Sequence, residues 1–177
     1  MQNLIDIALA AGASGTGLAK VADISFNPKF RDACEQNVCG KFGTCWMCPP
    51  DVGDINEMIS YAKTFENIFV FQTIGQLEDS FDIEGMEDAA KKHNALVATL
   101  AKNCNRVLEN YLILGAGACH ICLSCTKPEN KPCAHPKKAI PSLEAYGVAV
   151  AELAKISGLA YINGVNTVTF FGGIMFN

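Results

Sequence analysis

The chain has 177 residues, of which half are hydrophobic, and its formal net charge is −4. This length and apolar content favour a single domain, residues 1–177, with a buried core. The basic residues are scattered apart from Lys137 and Lys138, so no phosphate-binding stripe indicates nucleic acid as a partner. No apolar run reaches the roughly 18 residues of a membrane helix, and no membrane segment is expected.

Nine cysteines are a high and odd number for a chain of this size. In a small secreted protein such a count would indicate a disulfide framework. The start of this chain lacks the basic residues of a signal peptide, and Asp6 interrupts its apolar run, so we expect a cytoplasmic protein. In that reducing compartment clustered cysteines more often hold metal than each other.

The first fifty residues predict one helix, one strand and a long irregular connection. Residues 3–11 have apolar side chains at helical spacing, and Gly12 is a suitable helix end. The glycines of residues 12–17 follow a helix rather than a strand, so a turn is a simpler interpretation than a dinucleotide-binding loop. We expect residues 18–24 to form a strand, and residues 27–50 to be an irregular connection ordered by bound metal.

The middle of the chain predicts two helices, each followed by a strand. Asp54 and Glu57 form a variant of the capping box that opens a helix. Residues 68–71 are β-branched or aromatic and predict a buried strand. Residues 84–106 form the longest predicted helix, and residues 111–114 the strand after it. The buried side of that helix is expected to consist of Ala89, His93, Leu96, Val97, Leu100 and Cys104.

The C-terminal part predicts a last helix and a last strand. Ser142 is a suitable N-cap for a helix that ends near Gly158, and residues 167–171 form a strand that extends to Met175. Strands that alternate with helices indicate an α/β fold, here one compact domain with a small open sheet of about four strands. The right-handed crossover rule makes part of the sheet parallel, so we expect a mixed sheet with packing helices and two cysteine-rich metal-binding loops.

A cysteine triplet carries the clearest chemical signal. Cys119, Cys122 and Cys125 lie at every third position, and Cys133 follows after seven residues. Side chains with this spacing cannot share one face of a helix or strand, so they are expected on a curled loop whose sulfurs converge. Bacterial ferredoxins have the same triplet, whereas zinc usually takes two separated pairs. These four residues are therefore predicted to bind a [4Fe-4S] cluster, with zinc as the alternative.

A second cysteine group lies upstream, in the irregular connection. Cys34, Cys39 and Cys48 are predicted metal ligands, and Cys45 is either the fourth ligand or a neighbour of the site. The protein would then hold one or two clusters. Two prolines follow the last cysteine and suit the exit from a cluster loop, because proline fixes the backbone and has no N–H to donate.

Several other residues have a weaker claim to these sites. His120 and His135 adjoin predicted ligands and are expected to hydrogen-bond to sulfur rather than to bind iron. Trp46, the only tryptophan, is expected to cover the upstream site from solvent. Cys104 and His93 lie on the apolar side of their helix and are predicted to belong to the core.

Four stretches carry a resemblance to a known family: Cys39–Gly43, Trp46–Pro50, Gly117–Cys119 and Pro141–Gly147. With these motifs the chain resembles the cysteine-rich predicted metal-binding proteins known as domain of unknown function 2284, typical of anaerobic bacteria and archaea. The resemblance covers nearly the whole chain and implies iron–sulfur binding in a compact cytoplasmic domain. It also implies that Cys34, Cys39 and Cys48 are the upstream ligands, whereas Cys45 replaces a polar residue such as asparagine.

Three functions are compatible with these patterns. The expected one is electron transfer by one or two [4Fe-4S] clusters to an unidentified protein redox partner in an anaerobic cytoplasm. The first alternative is a protein-interaction module stapled by zinc. The second is a cluster-dependent enzyme whose incompletely ligated cluster binds substrate. The sequence does not decide whether the protein is an enzyme, nor its oligomeric state.

Overall fold

The computed structural model describes residues 2–177. In this part of the chain the helices are α1 (Gln2–Ala10), α2 (Phe30–Glu35), α3 (Ile55–Ala62), α4 (Ile83–Val107) and α5 (Val150–Ile156). The strands are β1 (Gly15–Lys20), β2 (Asn67–Gln76), β3 (Tyr111–Leu114) and β4 (Thr167–Phe176). Short 3-10 turns occupy Val21–Asp23, Lys127–Glu129 and Glu144–Tyr146.

The four strands form one open sheet in the order β1-β2-β4-β3, and all three pairings are antiparallel. The predicted α/β domain with about four strands is confirmed, but the expected parallel pairing is wrong. β2 and β3 do run in the same direction and are joined through α4, as in a crossover connection. The C-terminal strand β4 lies between them and runs opposite to both, so the two parallel strands are not neighbours.

Helices cover both faces of the sheet, and this explains the continuous apolar run in β2. Successive side chains of a strand point to opposite faces. Phe69 and Phe71 pack with residues of α1 and α4, whereas Ile68 and Val70 pack with residues of α3 and α5. Both faces are therefore buried, and the core has one layer on each side of the sheet.

Helix α4 is the element that agrees best with its prediction. Its buried residues are the predicted set, Ala89, His93, Leu96, Val97, Leu100 and Cys104. Asp82 caps the helix, because its carboxylate accepts a hydrogen bond of 2.8 Å from the Gly85 amide. The predicted cap of α3 is also present: the Asp54 carboxylate accepts from the amides of Asn56 and Glu57. Local patterns therefore suffice for both helices.

His93 is enclosed by aromatic rings in the core. Its ring lies 5.8 Å from that of Phe71 and 5.7 Å from that of Phe170, measured between centroids. Nδ1 is 2.9 Å from the Thr73 hydroxyl, and Nε2 has no hydrogen-bond partner among the described residues. Burial lowers the pKa of His93 to about 4, which the nearby Phe171 backbone partly opposes. The residue is therefore a neutral core histidine, as predicted.

Two boundaries in the first third of the chain differ from the prediction. The expected irregular connection contains α2, which carries Cys34. Strand β1 begins at Gly15, inside the glycine run, and ends at Lys20 rather than at Ile24. Gly17 lets β1 pack closely against the end of α5, because a Cβ there would lie 2.2 Å from the Ser157 carbonyl oxygen.

The last helix begins later than expected. Ser142 does act as a cap, since its hydroxyl accepts a hydrogen bond of 3.1 Å from the Ala145 amide, but the capped element is only a 3-10 turn. That turn ends at Gly147, whose φ of +69° is in the left-handed region and cannot continue a helix. The Gly147 carbonyl accepts a hydrogen bond of 2.7 Å from the Asn27 amide. The chain therefore becomes helical again only at Val150.

The cysteine-rich segments lie outside the regular layers. Residues 27–50 leave the sheet after the first 3-10 turn, and residues 115–140 leave it at the end of β3. The second segment is closed at its base, where the Gly115 amide donates to the Pro141 carbonyl and the Leu143 amide to the Gly115 carbonyl. Within residues 2–177, no helix combines the length and apolar character needed to cross a membrane.

Candidate metal centre

The two cysteine-rich segments are held together by a cluster of three side chains, Trp46, Asp51 and Lys127. The Trp46 indole N–H donates a hydrogen bond of 3.0 Å to the Lys131 carbonyl across the segments. The Lys127 ammonium lies 4.4 Å from the centroid of the Trp46 ring and forms a largely buried ion pair with Asp51. The two segments are therefore joined by direct side-chain contacts.

Three of the predicted ligands share one cavity, the first cavity. Cys34, Cys39 and Cys48 line it, and its volume is ≈ 220 Å³. The side chains of Lys41 and Glu144 are the charged groups in its wall. Cys34 is placed by α2, whereas Cys48 lies in the turn that precedes α3. The structure thus brings together the three upstream cysteines that the family resemblance implies as ligands.

The remaining cysteines of the two segments line a second cavity. It is bordered by Cys45, Cys119, Cys122, Cys125 and Cys133. Its volume is only ≈ 20 Å³, which is close to the size of one water molecule. Five thiols therefore surround a very small space, while the first cavity has three thiols and more room.

Cys45 lies between the two cavities. It is only 3% exposed, and its sulfur receives hydrogen bonds from the thiols of Cys48 and Cys125 and from the amides of Met47 and Cys119. These bonds, that from Cys48 first, lower the pKa of Cys45 to about 5 against the effect of burial. The pKa of Cys48 is raised because its thiol is the donor and is buried. Cys45 is thus poised as a thiolate, the form of cysteine that binds metal.

Backbone amides also point at the sulfur of Cys119. Burial raises the pKa of this thiol, and the amides of Ile121 and Ile140 oppose the rise by donating hydrogen bonds. Hydrogen bonds from amides to cysteine sulfur are a feature of iron–sulfur sites, where they help to set the reduction potential. The donor set, with its many thiols and its convergent amides, therefore fits an iron–sulfur group.

The structure positions the other predicted site residues as follows. Trp46 lines the second cavity, whereas the sequence placed it over the upstream site. His135 lies in the wall of the second cavity beside Cys133. His120 faces a separate small cavity against α4 and lines neither cysteine cavity. Cys104 is fully buried in α4, and burial raises the pKa of its thiol to about 11, so it belongs to the core as predicted.

Two charged residues of the first cavity were not foreseen from the sequence. Glu144 reaches it from the 3-10 turn after Ser142, and Lys41 from the segment between Cys39 and Cys45. Neither has a local signal, because a single exposed glutamate or lysine in a connection is ordinary. The only hint was the position of Glu144 within the last of the four family-like stretches.

Among residues 2–177, no three His, Cys, Asp or Glu side chains are already arranged to hold a single metal ion. The Cys45 sulfur instead accepts hydrogen bonds from the thiols of Cys48 and Cys125. Metal binding therefore requires these side chains to reorient and the thiol protons to leave.

Comparison with known families gives one match. The family model described as predicted metal-binding protein (DUF2284) matches residues 18–176, which is nearly the whole chain. No curated protein and no solved structure matches the chain at a significant level.

Proposed function

This chain belongs to the family of predicted metal-binding proteins DUF2284, and we propose that it binds iron–sulfur clusters and transfers electrons in the cytoplasm of an anaerobe. One observation carries the proposal. Eight of the nine cysteines, from two distant segments, line two cavities that are joined through Cys45, and only Cys104 lies elsewhere. So many thiols in one region are poor core material but suitable cluster ligands.

The chain's own residues supply ligands, hydrogen bonds and shielding. Cys34, Cys39 and Cys48 would hold a group in the first cavity, and Cys119, Cys122, Cys125 and Cys133 one in the second. A bound [4Fe-4S] cluster supplies reversible one-electron chemistry. Trp46 shields the second cavity, and amides directed at Cys45 and Cys119 stabilise negative charge on their sulfurs. Two neighbouring centres would suit a relay.

Zinc is a second candidate for one of the two sites. The second cavity, at ≈ 20 Å³, has the size of a single ion rather than of a four-iron core. A zinc ion bound by four of its five thiols would staple the segments and leave the protein as an interaction module. An iron–sulfur cluster at the same place requires the curled loop to open outwards.

The proposed partner is a redox protein with an acidic contact surface. A groove of ≈ 610 Å³ runs between α4, β3 and the second cysteine segment, and Lys102, Lys137 and Lys138 line it without any carboxylate. Ile121 and Ala139 belong to both this groove and the second cavity. In a chain of net charge −4, this local positive charge would attract an acidic surface to a place beside the metal centre.

Optical spectroscopy tests the proposed chemistry. Anaerobically purified protein is expected to be brown, with broad absorption at about 400 nm that bleaches with dithionite and returns on reoxidation. A colourless protein that does not react with dithionite would contradict electron transfer and favour zinc.

The charge of the groove gives a test of the partner's class. The reduced protein is expected to pass electrons faster to an acidic ferredoxin than to basic cytochrome c, with the difference decreasing at high salt. In the double variant Lys137→Glu/Lys138→Glu this preference should reverse. Equal rates that are unaffected by charge reversal would exclude the groove as the docking surface.

A further inference from the structure

We infer that the carboxylate of Glu144 supplies the fourth protein ligand of the metal centre held by Cys34, Cys39 and Cys48. The inference rests on the proposed function, because it needs a metal group in the first cavity. It identifies a ligand that no cysteine motif contains and gives the two centres different coordination, with one site of cysteines alone and one with three cysteines and a carboxylate.

The need for a non-cysteine ligand follows from how the thiols are divided. The first cavity has three cysteines, one fewer than a four-iron core requires. Cys45 is the only other cysteine of that segment, and it lines the second cavity but not the first. The second cavity in turn has one thiol more than it needs.

Glu144 is the only carboxylate in the wall of the first cavity. It shares that wall with Cys34, Cys39 and Cys48, and its side chain is exposed rather than packed in the core. Within the described residues Glu144 forms no ion pair, so neither Lys41 nor another cation of that part of the chain already holds it. Carboxylate oxygen is also a chemically suitable ligand for iron.

The position of Glu144 relative to Cys34 is built into the fold through Arg31. This residue lies in α2, three positions before Cys34, and its guanidinium donates to the carbonyl of Ala145, next to Glu144, at 3.1 Å. A second hydrogen bond of 2.5 Å runs to the Gly53 carbonyl. The amide of Asn27 donates to the Gly147 carbonyl, which joins the same two segments again. The helix of Cys34 and the turn of Glu144 are therefore fixed to each other.

The test compares Glu144→Gln with Glu144→Cys in the anaerobically purified full chain, with Glu152→Gln, at an exposed position of α5, as the matched control. Mild ferricyanide removes one electron from a four-iron core and releases one ferrous ion if the fourth corner is weakly held. Glu144→Gln is expected to lose one iron per chain and to give the paramagnetic signal of a three-iron core. Wild type, Glu144→Cys and Glu152→Gln should keep their iron under the same treatment.

The outcomes separate this inference from the proposed function. If the wild type contains iron, Cys48→Ser lowers it and Glu144→Gln behaves like Glu152→Gln, then Glu144 is not a ligand although the metal centre exists. If the wild type contains no iron, the proposed function itself fails. Rescue by Glu144→Cys would show that the loss in Glu144→Gln reflects a missing ligand rather than a misfolded turn.

Discussion

The layered core and the cysteine-rich segments are ordered by different interactions. The sheet with α1, α3, α4 and α5 is stabilised by apolar burial on both of its faces, with fully buried residues such as Phe69, Phe71 and Leu100. The cysteine-rich segments bury little apolar surface, and Val38 and Leu123 within them are almost fully exposed. Their order depends on the base at Gly115, on the Trp46–Lys127–Asp51 cluster and on hydrogen bonds between thiols.

This difference indicates a division of labour between scaffold and site. A core that folds without metal can present two loops whose final geometry is set by the metal. If the division is correct, removing metal and changing ligands should affect the loops and spare the core. Changes in the core should lower the stability of the whole domain and leave the metal content unchanged.

Removal of the metal is expected to have the largest effect. In chelator-treated apo-protein, proteolytic cleavage within residues 27–50 and 115–140 should be on the order of tenfold faster, because metal–sulfur bonds replace the missing core there. Circular dichroism should show that the helices persist. Equal cleavage rates with and without metal would mean that the protein contacts alone order the loops.

Single substitutions test which thiols bind the metal. Cys122→Ser removes the central thiol of the triplet and should lower the iron content by about half, roughly four atoms per chain, without a change in helix content. Cys45→Ser is the matched change, because the second cavity keeps four other thiols, and we expect its iron content to stay at the wild-type level. Iron retained in Cys122→Ser would show that the ligands have been wrongly assigned.

The core should respond to pH through His93. Burial lowers the pKa of this residue from 6.5 to about 4 in the fold, so below pH 6.5 the unfolded chain binds a proton that the folded chain refuses. The contribution of His93 to the free energy of unfolding is at its maximum above that pH. It falls by about 3 kcal/mol as the pH drops to about 4. Denaturant unfolding of wild type and His93→Phe at several pH values measures it. The gap between the two proteins should change across this window, and a constant gap would contradict the neutral histidine.

The smallest effect is expected for the cysteine of the core. Cys104→Ser places a hydroxyl in a fully buried apolar site and should lower the free energy of unfolding by about 1–3 kcal/mol. The iron content and the absorption spectrum should stay as in wild type. Loss of iron in this variant would mean that α4 takes part in metal binding.

Local patterns were sufficient for much of the fold. The apolar spacing of α4, the Asp54 cap and the β-branched run of β2 each lie within a few residues, and each predicted the element that is found. The antiparallel pairing was not predictable in this way. It depends on the position of β4, the last strand of the chain, between β2 and β3. This position is set by tertiary packing rather than by local sequence.

The candidate site was likewise predictable from local sequence only in part. The spacing of the cysteines was enough to name the two segments that line the cavities. The allocation of thiols between them was not, because Cys45 is adjacent in sequence to the upstream group but lines the cavity of Cys119 and Cys125. Glu144 lines the first cavity with Cys34, and Arg31 joins its turn to α2. Such tertiary contacts leave no periodic trace in the sequence.

The identity of the bound group is the most direct test of the proposal that the cysteines bind two iron–sulfur clusters. Iron, acid-labile sulfide and zinc should be measured together in protein purified under strict exclusion of oxygen. We expect iron and sulfide in equal amounts, about eight of each per chain for two four-iron cores, with little zinc. One or two zinc ions per chain without acid-labile sulfide would contradict it.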